Sequence, residues 1–463
     1  MRIKSLIGSK AFYKKLLIIM LPILVQNAIT NFISLLDNIM VGRIGTEQMS
    51  GVSIVNQLLF VFNLCIFGTV SGAGLFGAQF FGKGDHEGIR HTFRFKIYSA
   101  ILLMLSALAL FSFCGESLVW LYLHEGSESG DLALAFASAK EYLIISLIGL
   151  LPFTITQIYA STLREIGRTL PPMIAGIIGV AVNLSLNYVL IFGKFGAPAL
   201  GVAGAAIATV ISRFVECGVI VVWTHANRKK CEFIKGAYRS FRVPLLLVKS
   251  IIKKGFPLLL NEGMWAAAQA MLLQCYSLRG IAVVSAMNIT NTIFNTFSVL
   301  FMAVGSAIAL MLGHILGTGD TLGARDSAKK MIAFSTCAGC VCGLLVLVCA
   351  PIFPNIYNTT EEVRSLSRSF AYIMAAVAPI HAYVNACYFT MRSGGKTFTV
   401  FMFDSVYAWC VNVFLAFILA RFTSLPITIV YLCCQSIDIL KAVLGSVLVA
   451  KGKWAVDLTQ KIN

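Results

Sequence analysis

Thr162-Leu-Arg-Glu-Ile-Gly-Arg-Thr169 returns 228 residues later as Thr390-Met-Arg-Ser-Gly-Gly-Lys-Thr397, with Thr, Arg, Gly and Thr in the same places. Toward the N-terminus the match continues at a shift of 235. Pro22 falls on Pro257, Gly45 on Gly280, Asn56 on Asn291, Phe62 on Phe297, Ser71 on Ser306 and Leu75 on Leu310. Gly82, Gly84 and Asp85 fall on Gly317, Gly319 and Asp320. The chain is two related halves in tandem. In an apolar chain that is the signature of a transporter whose halves rock about a central site.

The chain is apolar: of its 463 residues 58% are hydrophobic and 12% charged, against about 25% charged in a water-soluble domain. Runs of about 20 apolar residues recur along it, each long enough to cross a ~30 Å hydrocarbon core. They do not alternate as barrel strands would. The first run, Leu16 to Val41, holds Asp37 and is too long for a cleavable signal. The expected fold is an all-α polytopic membrane protein of twelve transmembrane helices. The spans fall at roughly 14–42, 52–80, 96–120, 138–162, 172–193, 200–224, 256–278, 285–316, 331–353, 370–391, 398–420 and 426–450. That gives an N-terminal six-helix lobe over 1–225, a cytoplasmic linker over 226–254 and a C-terminal six-helix lobe over 255–463. Six spans separate the repeats, so they run parallel and are related by an axis along the membrane normal.

The net charge of +17 follows the spans rather than forming a nucleic-acid surface. Alternate loops carry Lys4, Lys10, Lys14 and Lys15; Lys83, Arg90, Arg94 and Lys96; Arg164 and Arg168; the linker; Arg325, Lys329 and Lys330; Arg392 and Lys396; Lys451 and Lys453. The opposite loops carry Glu116, Glu125, Glu128, Asp131, Glu361 and Glu362. Basic loops stay in the cytoplasm, so both termini and the linker are expected there. Most of the thirteen cysteines lie in apolar runs, where free Cys packs as a small hydrophobe. Cys337, Cys340 and Cys342 have no His or acid nearby to complete a metal site.

Intramembrane acids are costly and therefore functional candidates. Asp37 is the clearest: in low dielectric it can take a proton near neutral pH or, with other oxygens, hold a cation such as Na⁺. An interfacial position or a polar bridge is the alternative. Asn183 and Asn187 are four apart and share a helix face. Thr209 follows Gly201-Val-Ala-Gly-Ala-Ala-Ile-Ala208, a small-residue run that permits close helix approach. These residues and Asp37 would make one oxygen-rich pocket, or else ordinary interhelical hydrogen bonds. In the second half Glu262, His381, Asp404 and Asp438 are candidate proton relays, with Glu262 and His381 the possible site. Almost no Lys or Arg lies within the spans apart from Arg213 and Lys441, both placed near span ends. Gly82-Lys-Gly-Asp85 lacks the following Lys-Ser/Thr of a phosphate loop and reads as a helix cap and turn. No nucleotide site, cofactor or catalytic constellation emerges, so transport would be driven by an ion gradient and the protein is not an enzyme.

Asp37-Asn-Ile-Met-Val-Gly42, the Gly-X-Gly-Asp turns, Asn183-Leu-Ser-Leu-Asn187 with Leu190-Ile-Phe-Gly193, Leu200 to Thr209 and Gly255-Phe-Pro257 together resemble the multidrug and toxic compound extrusion (MATE) transporter family, bacterial type. The resemblance covers nearly the whole chain. It implies two pseudo-symmetric six-helix lobes around a V-shaped central cavity. It also implies antiport of organic cations against H⁺ or Na⁺ in a bacterial cytoplasmic membrane, by a monomer. Where the family's ion site lies in the first lobe, a span-1 Asp, an Asn and an Asp four apart on span 5, and a span-6 Thr build it. Those positions read Asp37, Asn183, Asn187 and Thr209, with Asn187 the departure. One carboxylate weakens a Na⁺ site and leaves a simpler proton carrier. Where the site lies in the second lobe, acids on spans 7 and 10 form it. Here Trp265 stands at the span-7 place, a turn beyond Glu262, and His381 at the span-10 place. The alternatives are a flippase for a lipid-linked precursor, which would want clustered cationic residues to grip phosphates, and a twelve-span major-facilitator carrier, whose loop Gly82 to Arg90 loosely resembles.

Overall fold

The computed structural model describes residues 6–42, 44–122, 132–240, 242–357 and 359–460, with the side chains of 33–39, 42, 46 and 281 outside that description. Among these residues the chain is helical, with no strand. In the first half the spans are Lys10–Gly42, Thr46–Lys83, His86–Trp120, the pair Leu132–Ile148 and Leu150–Glu165, Leu170–Phe192 and Gly201–Ala226. In the second half they are Leu245–Ser277, Ile281–Gly317, Thr321–Cys349, Glu361–Ser393, Thr397–Phe422 and Ile427–Ala450. Ten of these helices are long and apolar enough to cross a membrane, and the bent pair makes an eleventh. The helix of span 7 has the length, 33 residues or about 50 Å at 1.5 Å per residue. Its apolarity is thinned by Asn261, Glu262, Gln269 and Gln274.

Local chemistry sets the breaks. Span 4 bends by 48° between Ile148 and Leu150. Pro152 has no N–H to give the Ile148 carbonyl, and its ring crowds that carbonyl, so the helix restarts there. Pro171 and Pro172 open span 5 in its first turn, where their missing N–H groups cost nothing. Gly193 closes it at φ +65°, a left-handed cap that L side chains resist. Span 12 is interrupted at Ile437. Span 11 winds as a π-helix over Met402–Val406 and Ala408–Val413.

The chain packs as two compact units. One holds Val25–Gly77 and His86–Val248. In it the small-residue run of span 6 lies against span 5, and a Cβ on Gly204 would meet the Leu190 carbonyl oxygen at 2.6 Å. Lys96 and Glu165 form a buried ion pair, with Nζ 2.6 and 2.7 Å from the two carboxylate oxygens. Their side chains are 0% and 6% exposed. The carboxylate fills a notch made by Gly74 and Gly77, where added Cβ atoms would stand 2.7 and 2.2 Å from its oxygens. Lys96 therefore does not belong to a cytoplasmic loop, as the charge pattern had it: the span-3 helix starts at His86 and carries it inside. Arg94, also counted with that loop, is buried and donates to the carbonyls of Gly236, Ala237 and Arg242.

The other unit holds Met1–Leu24, Ala78–Asp85 and Lys249–Asn463. The sequence division had put residues 1–24 and 78–85 in the N-terminal lobe. Residues 78–85 sit with the second half because spans 2 and 8 cross at their ends, backbone on backbone. A Cβ on Gly82 would lie 2.0 Å from the His314 carbonyl oxygen, and one on Gly317 would lie 2.0 Å from that of Gln79. Gly82 and Gly317 are related by the 235-residue shift, and so are Gln79 and His314. The crossing thus maps onto itself under the repeat. The fully buried Gln79 amide then donates to the carbonyls of Ser393 and Val456 and accepts from the Leu458 amide.

Candidate functional site

The first-half candidates lie on three helices. Asn183 and Asn187 face the same way from span 5, one turn apart, and both are buried. Asn187 Nδ2 donates to Asn183 Oδ1 at 3.1 Å, and Asn183 Nδ2 donates to Thr209 Oγ1 on span 6 at 3.3 Å. The structure therefore joins three of the four expected residues in one relay of amides and a hydroxyl. The fourth, Asp37, lies in the helix Lys10–Gly42, and its side chain is outside the described residues.

The second half holds a larger polar network. Its centre is Asp404 on the π-helical part of span 11. Lys441 Nζ on span 12 lies 2.8 Å from Asp404 Oδ1, and Asn261 Nδ2 on span 7 donates to Asp404 Oδ2 at 3.1 Å. Ser405 Oγ donates to Asn261 Oδ1 at 2.8 Å, which turns the amide so that its nitrogen faces the carboxylate. The Lys441 ammonium also stands 5.4 Å from the Phe403 ring centre and 5.6 Å from that of Tyr407, within cation–π range. The winding makes this possible. Phe403 and Asn412 are nine residues apart, two and a half turns of an α-helix, and would point to opposite sides. The i→i+5 pattern widens each turn and brings Phe403, Tyr407 and Asn412 to the side of span 12. There they reach Lys441, the Ile437 carbonyl and Asp438. Met402–Val413 contains no Pro or Gly to force this winding.

Glu262 and His381 fall in different parts of this network. Glu262 Oε1 is 3.8 Å from Arg392 Nη1, and Arg392 also donates to the Tyr388 hydroxyl at 3.2 Å. His381 Nδ1 is 3.6 Å from Asp438 Oδ2. Arg392 and His381 share one helix, eleven residues and so about 16 Å apart along it. The two candidates thus do not meet in one site. Trp265 is 42% exposed. Lys441 and Arg213, placed near span ends from sequence, both lie mid-span. Arg213 sits 5.1 Å over the Phe153 ring. The 228-residue shift carries Arg213 to Lys441 and Phe153 to His381. That shift also pairs Asp404 with Gly176, and the 235-residue shift of the earlier spans pairs Asn261 with Gln26; the two first-half residues also touch, since a Cβ on Gly176 would lie 3.3 Å from Gln26 Nε2. The first half has the same contact without the carboxylate.

Among the described residues no group of three His, Cys, Asp or Glu is arranged to hold a metal ion. The Asp404–Lys441 pair had a sequence signal, an acid and a base in adjacent apolar spans, each needing a partner. The π winding had none.

The MatE family model matches residues 22–189 and 263–441. A probable multidrug resistance protein NorM of Thermotoga maritima is 24% identical over 448 residues, covering 95% of this chain and 93% of its own length. One from Pasteurella multocida is 27% identical over 351 residues, covering 74% and 71%. Among solved structures, an outward-facing multidrug resistance MATE family transporter of the MOP superfamily superposes with a TM-score of 0.86 at 18% identity, covering 97% of this chain and 98% of its own. The Vibrio cholerae MATE transporter VcmN superposes with a TM-score of 0.85 at 15% identity, covering 98% and 99%.

Proposed function

The chain belongs to the MatE family, a family of membrane transporters rather than enzymes, and from that premise we propose that it exports organic cations by antiport, with Asp37 as the acid that couples transport to an inward ion gradient. The observation that carries this reading is the Asn187–Asn183–Thr209 relay, a prearranged set of polar groups with both amides buried, at the positions the family's first-lobe site would use. Asp37, Asn183, Asn187 and Thr209 together take and release the ion. When Asp37 is ionised it favours substrate capture; when it is neutralised, the conformational equilibrium shifts and substrate leaves. The drive is the difference in affinity of the two states for ion and substrate, and nothing more is required. Two amides in place of an amide and a second carboxylate favour a proton as the coupling ion. Both termini and the linker face the cytoplasm on this reading, since the basic loops lie on that side. The substrates are small organic cations, drawn from the cytoplasm or the lipid, and the working unit is a monomer.

The test is ethidium efflux from right-side-out and inside-out vesicles under imposed pH or Na⁺ gradients, for wild type and Asp37→Asn. Transport that follows one gradient and collapses in the variant supports the reading and identifies the ion. Transport unimpaired in Asp37→Asn refutes Asp37 as the coupling group. No cation movement under either gradient would refute cation antiport and favour flipping of a lipid-linked anion, although the basic side chains within the spans are dispersed and Lys96, Arg392 and Lys441 already face carboxylates.

A further inference from the structure

The second-half network already contains a bound cation, and the cation belongs to the chain. Asp404 is 17% exposed, and its partner Lys441 is 8% exposed. One carboxylate oxygen takes the ammonium at 2.8 Å and the other takes the Asn261 amide at 3.1 Å. Two ring faces flank the ammonium, and Ser405 locks the amide. A carboxylate oxygen with aromatic faces around it is the chemistry that receives free monovalent cations and ammonium groups. Asp438, three residues before Lys441, has its own partners in His381 and Asn412. Glu262 is directed to Arg392.

We infer that Lys441 is a tethered counter-ion filling a monovalent-cation site built by Asp404, Asn261, Phe403 and Tyr407, and that it keeps the second half from taking a coupling ion. The argument is electrostatic. A half-dry carboxylate needs a compensating charge, because an isolated one is costly in low dielectric. Lys441 supplies that charge permanently, so the site is neutral without an ion. A further cation would have to displace a covalently attached competitor whose effective concentration never falls. The first half reaches the same end by another route, with Gly176 where the second half has Asp404. On the reading given above, coupling is then left to Asp37. The inference itself concerns binding and does not need transport.

The experiment removes the tether and asks whether a free ion replaces it. The full-length chain is purified in detergent as Asp37→Asn, which silences the first half. To this background are added Lys441→Met, Lys441→Gln, Lys441→Arg, Asp404→Asn, and Lys441→Met with Asp404→Asn. Na⁺ is titrated at constant ionic strength with N-methylglucamine chloride as the balance, and the unfolding equilibrium and tryptophan fluorescence are followed. Lys441→Met or Lys441→Gln should gain Na⁺-dependent stabilisation, about elevenfold in the unfolding equilibrium once Na⁺ reaches ten times its Kd. Asp37→Asn alone and Lys441→Arg should show none, and Asp404→Asn should abolish the gain. If neither neutral variant gains stabilisation by Na⁺, Lys441 is an interhelical tie and the inference falls. It falls equally if Asp37→Asn alone is stabilised by Na⁺ and Asp404→Asn removes that effect, a result that needs no Lys441 variant to fold. Failure of efflux in vesicles, by contrast, would strike the antiport reading and leave this result standing.

Discussion

Replacing Gly82 or Gly317 by alanine should destabilise the protein, although alanine is the better helix former. Each new Cβ would stand 2.0 Å from a carbonyl oxygen of the other helix, and Cβ atoms do not approach closer than 3.0 Å. The crossing must therefore open by at least 3.0 − 2.0 = 1.0 Å. The obstructing atoms are backbone, so no rotamer change relieves them. Overpacking costs about 1–3 kcal/mol, and a backbone obstruction belongs at the upper end. Alanine returns about 1 kcal/mol in helix propensity. Each single variant should thus lose about 2 kcal/mol, a factor of roughly 30 in the unfolding equilibrium. Because the repeat makes the two contacts reciprocal, one opening accommodates both methyl groups. The double variant should then cost clearly less than the sum, with a coupling of about 1–2 kcal/mol. Equilibrium unfolding in mixed micelles measures all three. Gly263→Ala, mid-helix with nothing within 4 Å of the added carbon, is the control, and it should gain up to about 1 kcal/mol. If Gly82→Ala and Gly317→Ala behave like the control, or if their costs simply add, the account of the crossing is wrong.

Further outcomes follow from the buried groups. Lys96→Met or Glu165→Gln should each cost about 3–5 kcal/mol by breaking the buried pair, whereas replacing both with apolar residues should recover most of that loss; unfolding in micelles reads the cycle. Asn187→Asp puts back a second carboxylate beside Asn183, so Na⁺-driven ethidium efflux should rise several-fold relative to pH-driven efflux; an unchanged ratio would count against the relay as the ion site. Burial pushes the Cys231 thiol up from its ordinary range, against the opposing pull of Arg168 and Lys230. In a variant retaining only this cysteine, maleimide labelling should therefore need a higher pH than a free thiol in solution; a pH profile equal to the free thiol's would contradict the burial.

The spans were legible because hydropathy and the tandem repeat are long-range, redundant signals. The Asn183–Asn187–Thr209 relay was legible because a spacing of four on a helix fixes a shared face, and the run of small residues before Thr209 announced close packing. The charged pairs were not. Lys96 reads as a loop residue from charge alone, because nothing in the sequence says that the third helix extends ten residues beyond the expected membrane boundary, from 96 back to His86. Glu165 carries no local signal, since the notch it fills consists of two glycines some 90 residues away. Lys441 was seen, yet its partner depended on a π-helical register in span 11 that only the packed contacts with spans 7 and 12 reveal. The Pro152 break could have been read from the sequence, for a proline in the middle of a span predicts its interruption.

The Lys96–Glu165 pair also bears on how the chain is made. The two residues are 69 positions apart, and at about 5–20 residues per second the ribosome needs roughly 3–14 seconds to pass from one to the other. During that interval a helix carrying a lysine, a residue that costs about 2.5–3.5 kcal/mol at a helix centre, must hold its place in the bilayer without its acid. Lys96 is the eleventh residue of its helix, and its long stem allows the ammonium to reach up to the headgroups meanwhile. Only when the broken fourth span arrives does the lysine withdraw onto the glutamate. Loss of Glu165 would then leave a protein whose helices all span the bilayer and whose first half never closes: a fault of assembly, visible to cellular quality control, rather than one of insertion.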